Sequence, residues 1–363
     1  ALYLSGVEVF DFSGGGRRDV TEPERILLRS SDGGERWASG SKSEDKDTPF
    51  PSRITIIEAH PFRPNDLFMG SFGAGLWKSA NLGETWKKVS DENGVLDSSA
   101  DVYAVAISPS NTDIMYIGVL QQKRGRVLKS EDGGRHFREI YAASVEEIGV
   151  YDVYVNPSIP DNVTIVTGQG GLLDSDDGGR TWKVRQWFSQ GLTRYEVNPL
   201  DASEQYVIMA NGDMQHTIDG GKRWENLKGQ AGGGDLGIQY PPPLSLNPFG
   251  GFSGTAAKVF EIDPQNPSTL YIGSQEGLLR STTSGLTWER MNILIPPSAL
   301  PVDAVAVHPF EPRIIFAVAD AQLHRTDDSG VHWRMKLMNI LGRTTKLIIH
   351  PLRPEIMFAI IGR

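Results

Sequence analysis

An eight-residue segment that recurs seven times constrains this chain more than any other feature. Each copy begins with serine or threonine, contains glycine and ends on an aromatic residue, and consecutive copies end 42 to 64 residues apart. Such self-similarity predicts a repeat architecture, in which each unit buries its apolar surface against its neighbours. The seven repeat segments are SSDGGERW (30–37), SANLGETW (79–86), SEDGGRHF (130–137), SDDGGRTW (175–182), TIDGGKRW (217–224), STTSGLTW (281–288) and TDDSGVHW (326–333).

Short apolar runs around each repeat segment have the alternation typical of β-strands. A first run ends in X-Pro, as in IIEAHP, a second follows, as in LFMGS, a third leads into the repeat segment, as in GLWKS, and a fourth starts at the aromatic residue, as in WKKVS. Four short strands in about 45 residues, separated by turn residues, predict one blade of a β-propeller.

The two ends of the chain complement each other. The C-terminal strands TTKLIIHP and EIMFAIIG have no repeat segment after them, and the N-terminal ERILLRS and its segment supply the missing half of a blade. The sequence therefore predicts an all-β, seven-bladed β-propeller of four-stranded antiparallel blades, its ring closed by N- and C-terminal strands that share one blade. The run ALYLSG also resembles a second strand, so an incomplete eighth blade stays an alternative.

Departures from the period predict insertion loops within a single domain of residues 1–363. They fall at about 7–24, 39–52 and 228–257. The last is rich in glycine, proline and aromatic residues, and a loop this long in a compact repeat is either functional or disordered. Tyr240, Phe249 and Phe252 are its candidate binding residues, and a lid packed over the ring is the alternative.

Composition excludes several function classes. The net charge of −9 argues against a nucleic-acid partner, which normally requires a basic face. The absence of cysteine excludes disulfides, thiolate metal sites and a cysteine nucleophile. No apolar run reaches the ~18 residues of a membrane helix, although association with a membrane complex stays open. No cofactor is expected, and the oligomeric state is left open.

The start of the chain bears on its location. It begins with alanine and lacks a basic n-region, which suggests an already removed signal peptide. Together with the lack of cysteine, this favours an extracellular or periplasmic protein.

The repeat segment resembles the Asp-box, or BNR, repeat S/T-x-D-x-G-x-x-W over nearly the whole chain. Bacterial sialidases, xyloglucanases, the sortilin ectodomain and a photosystem II assembly factor share that repeat. The resemblance implies a hairpin turn between the third and fourth strands of each blade, and turn chemistry agrees with it. Because Asn81 and Thr283 replace the acid in two copies, no metal is expected. The residues given this structural role are Asp32, Asp132, Asp177, Asp219, Asp328, Trp37, Trp86, Trp182, Trp224, Trp288 and Trp333.

The first strand of each unit is expected to be innermost. Residues two and four positions before its X-Pro proline are apolar in all seven units, so residues three and five before it should point towards the ring axis. Carboxylates there could act as acid and base in glycoside hydrolysis, which needs two of them. A solvated channel with balanced charges is the alternative. The candidate catalytic residues are Glu58, Asp152, Glu196 and Glu261, and the candidate binding residues are Tyr154, Arg194 and Lys346.

Three histidines precede X-Pro prolines. His60, His308 and His350 occupy one repeated position. We interpret them as strand-end hydrogen-bonding residues rather than metal ligands.

The family resemblances differ in what they imply. Sialidases imply an arginine triad on six blades, but Thr55 replaces the proline expected after Arg53 and Ile54. Xyloglucanases use two tandem propellers, and this chain has repeats for one. Sortilin and the assembly factor imply recognition of a peptide or a protein tail. The leading hypothesis is a non-catalytic exported scaffold that binds a protein or polysaccharide through its channel-entrance face and its long loop. A xyloglucanase-like or sialidase-like glycoside hydrolase is the alternative.

Overall fold

The fold is that of a seven-bladed β-propeller, as the repeat predicts. A computed structural model describes residues 26–39, 41–227, 259–338, 340 and 342–362. In these residues 28 strands form seven sheets, six of them with four or more strands, and a 3-10 turn at Pro297–Ala299 is the sole helical element. The all-β prediction is confirmed. The predicted loops 7–24 and 228–257 lie outside the described residues.

Residue contacts divide the chain into two compact units. The first comprises Ala1–Tyr195 and His350–Arg363, and the second comprises Glu196–Ile349. The single domain of residues 1–363 stays a prediction.

The first unit contains three complete sheets, antiparallel except for the short strand β2 (Lys42–Ser43) at the edge of the first of them. Their strands are β2 (Lys42–Ser43), β3 (Ile54–Ala59), β4 (Leu67–Ser71), β5 (Leu76–Ser79) and β6 (Thr85–Lys88); β7 (Asp101–Ile107), β8 (Met115–Gln121), β9 (Arg124–Ser130) and β10 (Arg138–Glu146); and β11 (Val150–Val155), β12 (Val163–Thr167), β13 (Gly171–Ser175) and β14 (Lys183–Trp187). In addition, β1 (Leu27–Ser30) pairs antiparallel with β28 (Met357–Gly362), with Leu28 opposite Ala359. The N- and C-terminal strands thus share a sheet, as predicted.

The second unit repeats the same strand order. Its strands are β16 (Gln205–Met209), β17 (Met214–Thr217) and β18 (Glu225–Asn226); β19 (Val259–Ile262), β20 (Leu270–Ser274), β21 (Gly277–Ser281) and β22 (Glu289–Arg290); β23 (Val302–Val307), β24 (Ile315–Ala319), β25 (Gln322–Thr326) and β26 (Arg334–Leu337); and β27 (Arg343–Ile349). Strand β15 (Leu192–Val197), the first of the sheet β15–β18, begins in the first unit and ends in the second.

Apolar cores lie between consecutive sheets of each unit. In the first unit, Phe68 and Leu76 belong to one cluster with Val105 and Ile117 of the next sheet. The residue four positions before the X-Pro proline is buried in every first strand, as predicted, whereas the residue two positions before it is buried in three strands and half-buried in four. These residues are Ile57, Val105, Val153, Tyr195, Phe260, Val305 and Leu347.

Glycines in second strands allow neighbouring sheets to approach. A Cβ on Gly118 would lie 2.7 Å from the carbonyl oxygen of Val150, at the start of β11, and a Cβ on Gly70 would lie 2.6 Å from that of Val102, in β7. Both contacts are too short for a side chain, so glycine is required where the next first strand passes.

Cations also link consecutive sheets. In three repeats, the residue before the serine or threonine of the repeat segment donates to the carbonyl of the fourth residue of the next segment. Arg29 reaches Leu82 (2.7 Å), and Lys129 reaches Gly178 (3.2 Å). In the second unit, Arg280 reaches Ser329 (3.0 Å). The repeat segments 79–86, 175–182 and 326–333 therefore receive bonds from the preceding blade.

Part of the predicted loop 39–52 forms regular structure. Lys42–Ser43 pairs in parallel with Thr85 and Trp86 at the outer edge of its sheet. The ring of Phe50 lies 5.9 Å from that of Trp77. This segment adds a fifth strand that the blade pattern does not predict.

Candidate functional site

The repeat segments form turns whose polar atoms bond to one another. In segment 175–182, the Ser175 hydroxyl donates to Asp177 Oδ1 (2.8 Å), and the Thr181 hydroxyl and N–H donate to the two oxygens of Asp177 (2.6 and 2.9 Å). Gly178 and Gly179 have φ of 69° and 90°, which glycine adopts without steric cost. The carboxylate is thus engaged by its own turn.

Uncharged residues make the same bonds in two copies. Thr85 N–H donates to Asn81 Oδ1 (2.9 Å), and Thr287 N–H donates to Thr283 Oγ1 (2.9 Å). The turn requires an acceptor rather than a charge. Among the described residues, no three His, Cys, Asp or Glu side chains are grouped to hold a metal ion.

The four candidate catalytic carboxylates lie on four different strands. Glu58 is on β3 and Asp152 on β11 in the first unit, and Glu196 on β15 and Glu261 on β19 belong to the second. All four are half-buried. Asp152 Oδ2 accepts the Tyr195 N–H (3.0 Å) and its Oδ1 accepts the Val153 N–H (2.9 Å). Both oxygens of Asp152 therefore accept hydrogen bonds from backbone N–H groups.

The candidate binding residues are similarly dispersed. The Tyr154 ring meets that of Tyr195 edge-on, 5.7 Å between centroids, and burial raises the pKa of Tyr154 to about 12. Arg194 is half-buried on β15, and Lys346 is exposed on β27. The loop candidates Tyr240, Phe249 and Phe252 lie outside the described residues.

Bulges interrupt four of the first strands at one repeated position. The pairing register shifts by one residue, six positions before the X-Pro proline. A bulge leaves one residue unpaired and redirects its side chain. The bulge residues are Thr55, Tyr103, Tyr151 and Asp303.

Around the bulges of the first unit, an exposed cation and aromatic ring adjoin a half-buried carboxyl group. The guanidinium carbon of Arg53 lies 4.2 Å from the centroid of the exposed Phe72 ring. Phe72 N–H donates to the Arg53 carbonyl (3.0 Å), and Gly73 N–H donates to Asp101 Oδ1 (2.7 Å). Arg53 and Asp101 occupy equivalent positions, eight residues before their X-Pro prolines.

Two tyrosines complete this group. The Tyr103 hydroxyl donates to Asp101 Oδ2 (3.4 Å), and the Tyr103 and Tyr151 rings meet edge-on, 4.8 Å apart at 70°. Burial raises the pKa of Tyr103 and of Tyr151. We call this group the strand-start cluster: Arg53, Phe72, Asp101, Tyr103 and Tyr151.

Asp101 differs electrostatically from the turn carboxylates. Burial raises its pKa, against the opposing effects of the Gly73 N–H, the Tyr103 hydroxyl and the Arg53 charge. In Asp328, by contrast, donors from His332 lower the pKa to about 2. The strand-start cluster therefore contains a carboxyl group that accepts a proton more readily than an ordinary aspartate.

The strand-start cluster was not predicted from the sequence. Strict alternation places the residues three and five positions before the proline on one side of the strand, and the bulge interrupts that alternation. The available signal was the recurrence of Thr55, Tyr103 and Tyr151 six residues before that proline.

No protein-family model matches the chain. Curated proteins similar in sequence include the oligoxyloglucan-reducing-end-specific xyloglucanase of Emericella nidulans, 28% identical over 195 residues, 49% of this chain and 24% of that protein. Xyloglucanase Xgh74A of Acetivibrio thermocellus is 27% identical over 277 residues, 73% of this chain and 28% of that protein. The chain spans about a quarter of the length of these relatives.

Solved structures with the same fold come from two kinds of protein. The GH74 xyloglucanase from Xanthomonas campestris superposes with a TM-score of 0.64 at 15% identity, covering 85% of this chain and 51% of that chain. YCF48 bound to D1 peptide gives a TM-score of 0.64 at 14% identity, covering 87% and 94%. No helix among the described residues is both long enough and apolar enough to cross a membrane. The chain is a seven-bladed β-propeller whose fold occurs both in an enzyme and in a peptide-bound protein.

Proposed function

We propose that this chain is a non-catalytic, extracellular or periplasmic β-propeller that binds a protein or polysaccharide on the face where its first strands begin. The strand-start cluster supports this proposal most directly. It presents an exposed guanidinium–aromatic pair, Arg53 with Phe72, beside the acceptor Asp101. Rigid aromatic surfaces with a few fixed polar groups are typical of binding sites for extended ligands.

The hydrogen bonds of the first unit favour binding over hydrolysis. Glycoside hydrolysis needs two carboxyl groups that flank the scissile bond. Asp152 uses both oxygens on backbone N–H groups. Asp101 likewise accepts hydrogen bonds from the Gly73 N–H and the Tyr103 hydroxyl, so its oxygens are engaged by neighbouring groups of the protein.

Binding and catalysis can be separated with ligand panels. The protein is incubated with soluble β-glucans, sialosides and a peptide array, and both retention and released sugar are measured. We expect retention of one ligand class without cleavage. Phe72→Ala should weaken that binding by about tenfold or more, as loss of a central aromatic contact does. Phe62→Ala, at an exposed phenylalanine in the turn after β3, is the matched control. Equal losses in the two variants would reject the strand-start cluster as the site.

A glycoside hydrolase is the second candidate. The sequence similarity to two xyloglucanases favours it, and burial shifts the pKa of Asp101 upwards, which is the direction that a general acid needs. Release of sugar from xyloglucan, lost in Asp101→Asn, would support hydrolysis. Cleavage that survives in Asp101→Asn but is lost in Glu196→Gln or Glu261→Gln would instead identify the carboxylates that the sequence analysis selected.

A further inference from the structure

Three histidines, two of them buried and His308 half-buried, hold the turns that join first and second strands. His60 Nδ1 accepts the N–H groups of Phe62 (3.2 Å) and Arg63 (3.0 Å). The same pair of bonds recurs at two further turns, which confirms the interpretation of these histidines as strand-end hydrogen-bonding residues. His308 Nδ1 accepts from Phe310 and Glu311 (3.3 and 3.0 Å), and His350 Nδ1 accepts from Leu352 and Arg353 (3.1 Å each).

Other sheets place a different acceptor at this position. Asn156 Oδ1 accepts the N–H groups of Ser158 (2.9 Å) and Ile159 (3.1 Å). Asp263 Oδ1 accepts those of Gln265 and Asn266 (2.9 and 3.0 Å). The position thus requires an acceptor, and an imidazole nitrogen accepts only while that nitrogen carries no proton.

Each histidine turn presents an apolar side chain to solvent. The residue after the proline donates its N–H to the ring, and its side chain points outwards: Phe62 is 69% exposed, Phe310 58% and Leu352 41%. The His60 and His350 rings behind them are buried, each 1% exposed. Backbone geometry at these exposed residues therefore depends on the ring nitrogen.

Charged groups surround each ring without replacing this bond. Arg63, Asp66, Lys78 and Asp113 face His60. Glu311 and Arg325 face His308. Arg353 and Glu355 face His350, whose Nε2–H donates to the Pro64 carbonyl (2.8 Å). Burial is the largest influence at all three rings, and it lowers the pKa of each histidine.

We propose that each histidine turn is a pH-sensitive latch for the exposed apolar residue that follows its proline. At neutral pH the unprotonated Nδ1 fixes the turn. Protonation turns Nδ1 into a donor that faces two other donors and buries a charge, so the turn opens and Phe62, Phe310 and Leu352 lose their fixed positions. Proteins commonly use histidine as such a switch.

Hydrogen exchange of the unmodified protein tests the latch directly. Exchange is followed by mass spectrometry at pH 7.5 and 5.5, with each rate corrected for the intrinsic effect of pH. We expect residues 60–66, 308–314 and 350–356 to lose protection several-fold, up to about tenfold, at pH 5.5, whereas residues 156–162, held by Asn156, keep theirs. Equal changes in all four turns, or none, would overturn the proposal.

Replacing each histidine with an acceptor that does not titrate tests the same proposal. The variants His60→Asn, His308→Asn and His350→Asn, singly and combined, install the side chain found at position 156. Each should keep its own turn protected at pH 5.5 as at pH 7.5. His332→Asn, at an exposed histidine of a repeat segment, is the control and should leave the acid-induced exchange unchanged. Acid-induced exchange that persists in the Asn variants would contradict the role of the imidazole.

Discussion

At the residue scale, an aspartate in a repeat segment acts as an acceptor for its own turn. Burial alone would raise the pKa of Asp32, but donors from Arg36 and Ser30 outweigh it and lower the pKa to about 2. Asn81 makes the corresponding bonds without a charge. The acceptor therefore gives the turn its geometry, and the charge gives it a dependence on pH.

Substitution of Asp32 separates these two contributions. Asp32→Ala removes an acceptor of the Ser30 hydroxyl and the Arg36 N–H (2.9 and 2.8 Å), so it should lower the melting temperature at pH 7. Asp32→Asn should lower it less, because the acceptor remains.

The sign of the pH dependence is also fixed. A carboxyl group whose folded pKa is depressed stabilises the fold above its unfolded pKa of about 4, and this stabilisation is lost as pH falls towards its folded pKa. Melting curves between pH 7 and 2 should therefore show less acid destabilisation in Asp32→Asn than in the parent. If the melting curves of the parent and of Asp32→Asn were indistinguishable at every pH, this carboxylate would make no contribution to the pH dependence of stability.

At the element scale, the sequence predicted the strands better than the site. The apolar position four residues before each X-Pro proline is set by burial between sheets, and Val105 and Leu347 show that this pattern reads directly from sequence. The bulge at Tyr103 cannot be read from the sequence in this way, because it is a shift in the pairing register between β7 and β8. Asp101 was missed for the same reason: its pKa follows from tertiary burial.

The cation between consecutive sheets gives a prediction at this scale. Lys129 Nζ donates to the Gly178 carbonyl and lies 5.4 Å from the centroid of the Tyr116 ring. Lys129→Met preserves the aliphatic packing and removes the charged donor, so we expect the free energy of unfolding to fall by about 2 kcal/mol. Urea unfolding of the parent and the variant measures this change in the free energy of unfolding. Lys87→Met, on the exposed side of β6, should change stability little, and equal effects would show that the inter-sheet bond contributes nothing.

The close approach of two sheets gives a second prediction. Ala at position 118 would place a Cβ 2.7 Å from the Val150 carbonyl oxygen and 3.2 Å from the Ala104 Cβ. Because backbone must move to relieve this contact, Gly118→Ala should lower the free energy of unfolding by about 1 to 3 kcal/mol. Urea unfolding again provides the measurement. Unchanged stability would mean that β11 can shift away from β8 at no cost.

At the scale of the whole molecule, the ends of the chain are joined through one sheet. Leu28 of β1 lies opposite Ala359 of β28, more than three hundred residues away in sequence. The first blade therefore combines strands that are far apart in sequence, and the pairing of β1 with β28 is a long-range contact. Strand β1 lies at the edge of this sheet and depends on β28 as its strand partner.

A cross-link between these strands tests the closure directly. The chain has no cysteine, so Leu28→Cys with Ala359→Cys can form only one intramolecular disulfide, and residues directly opposite in antiparallel strands have the Cα separation that a disulfide accepts. We expect complete thiol loss on oxidation and a gain of about 2 to 5 kcal/mol over the reduced form of the same variant, read from urea unfolding with and without reductant. The pair Leu28→Cys and Phe358→Cys is the control, because Phe358 lies opposite Arg29 and its side chain is on the other face of the sheet. Thiols that stay free in the first pair, or that oxidise equally in both pairs, would show that β1 and β28 do not hold this register in solution.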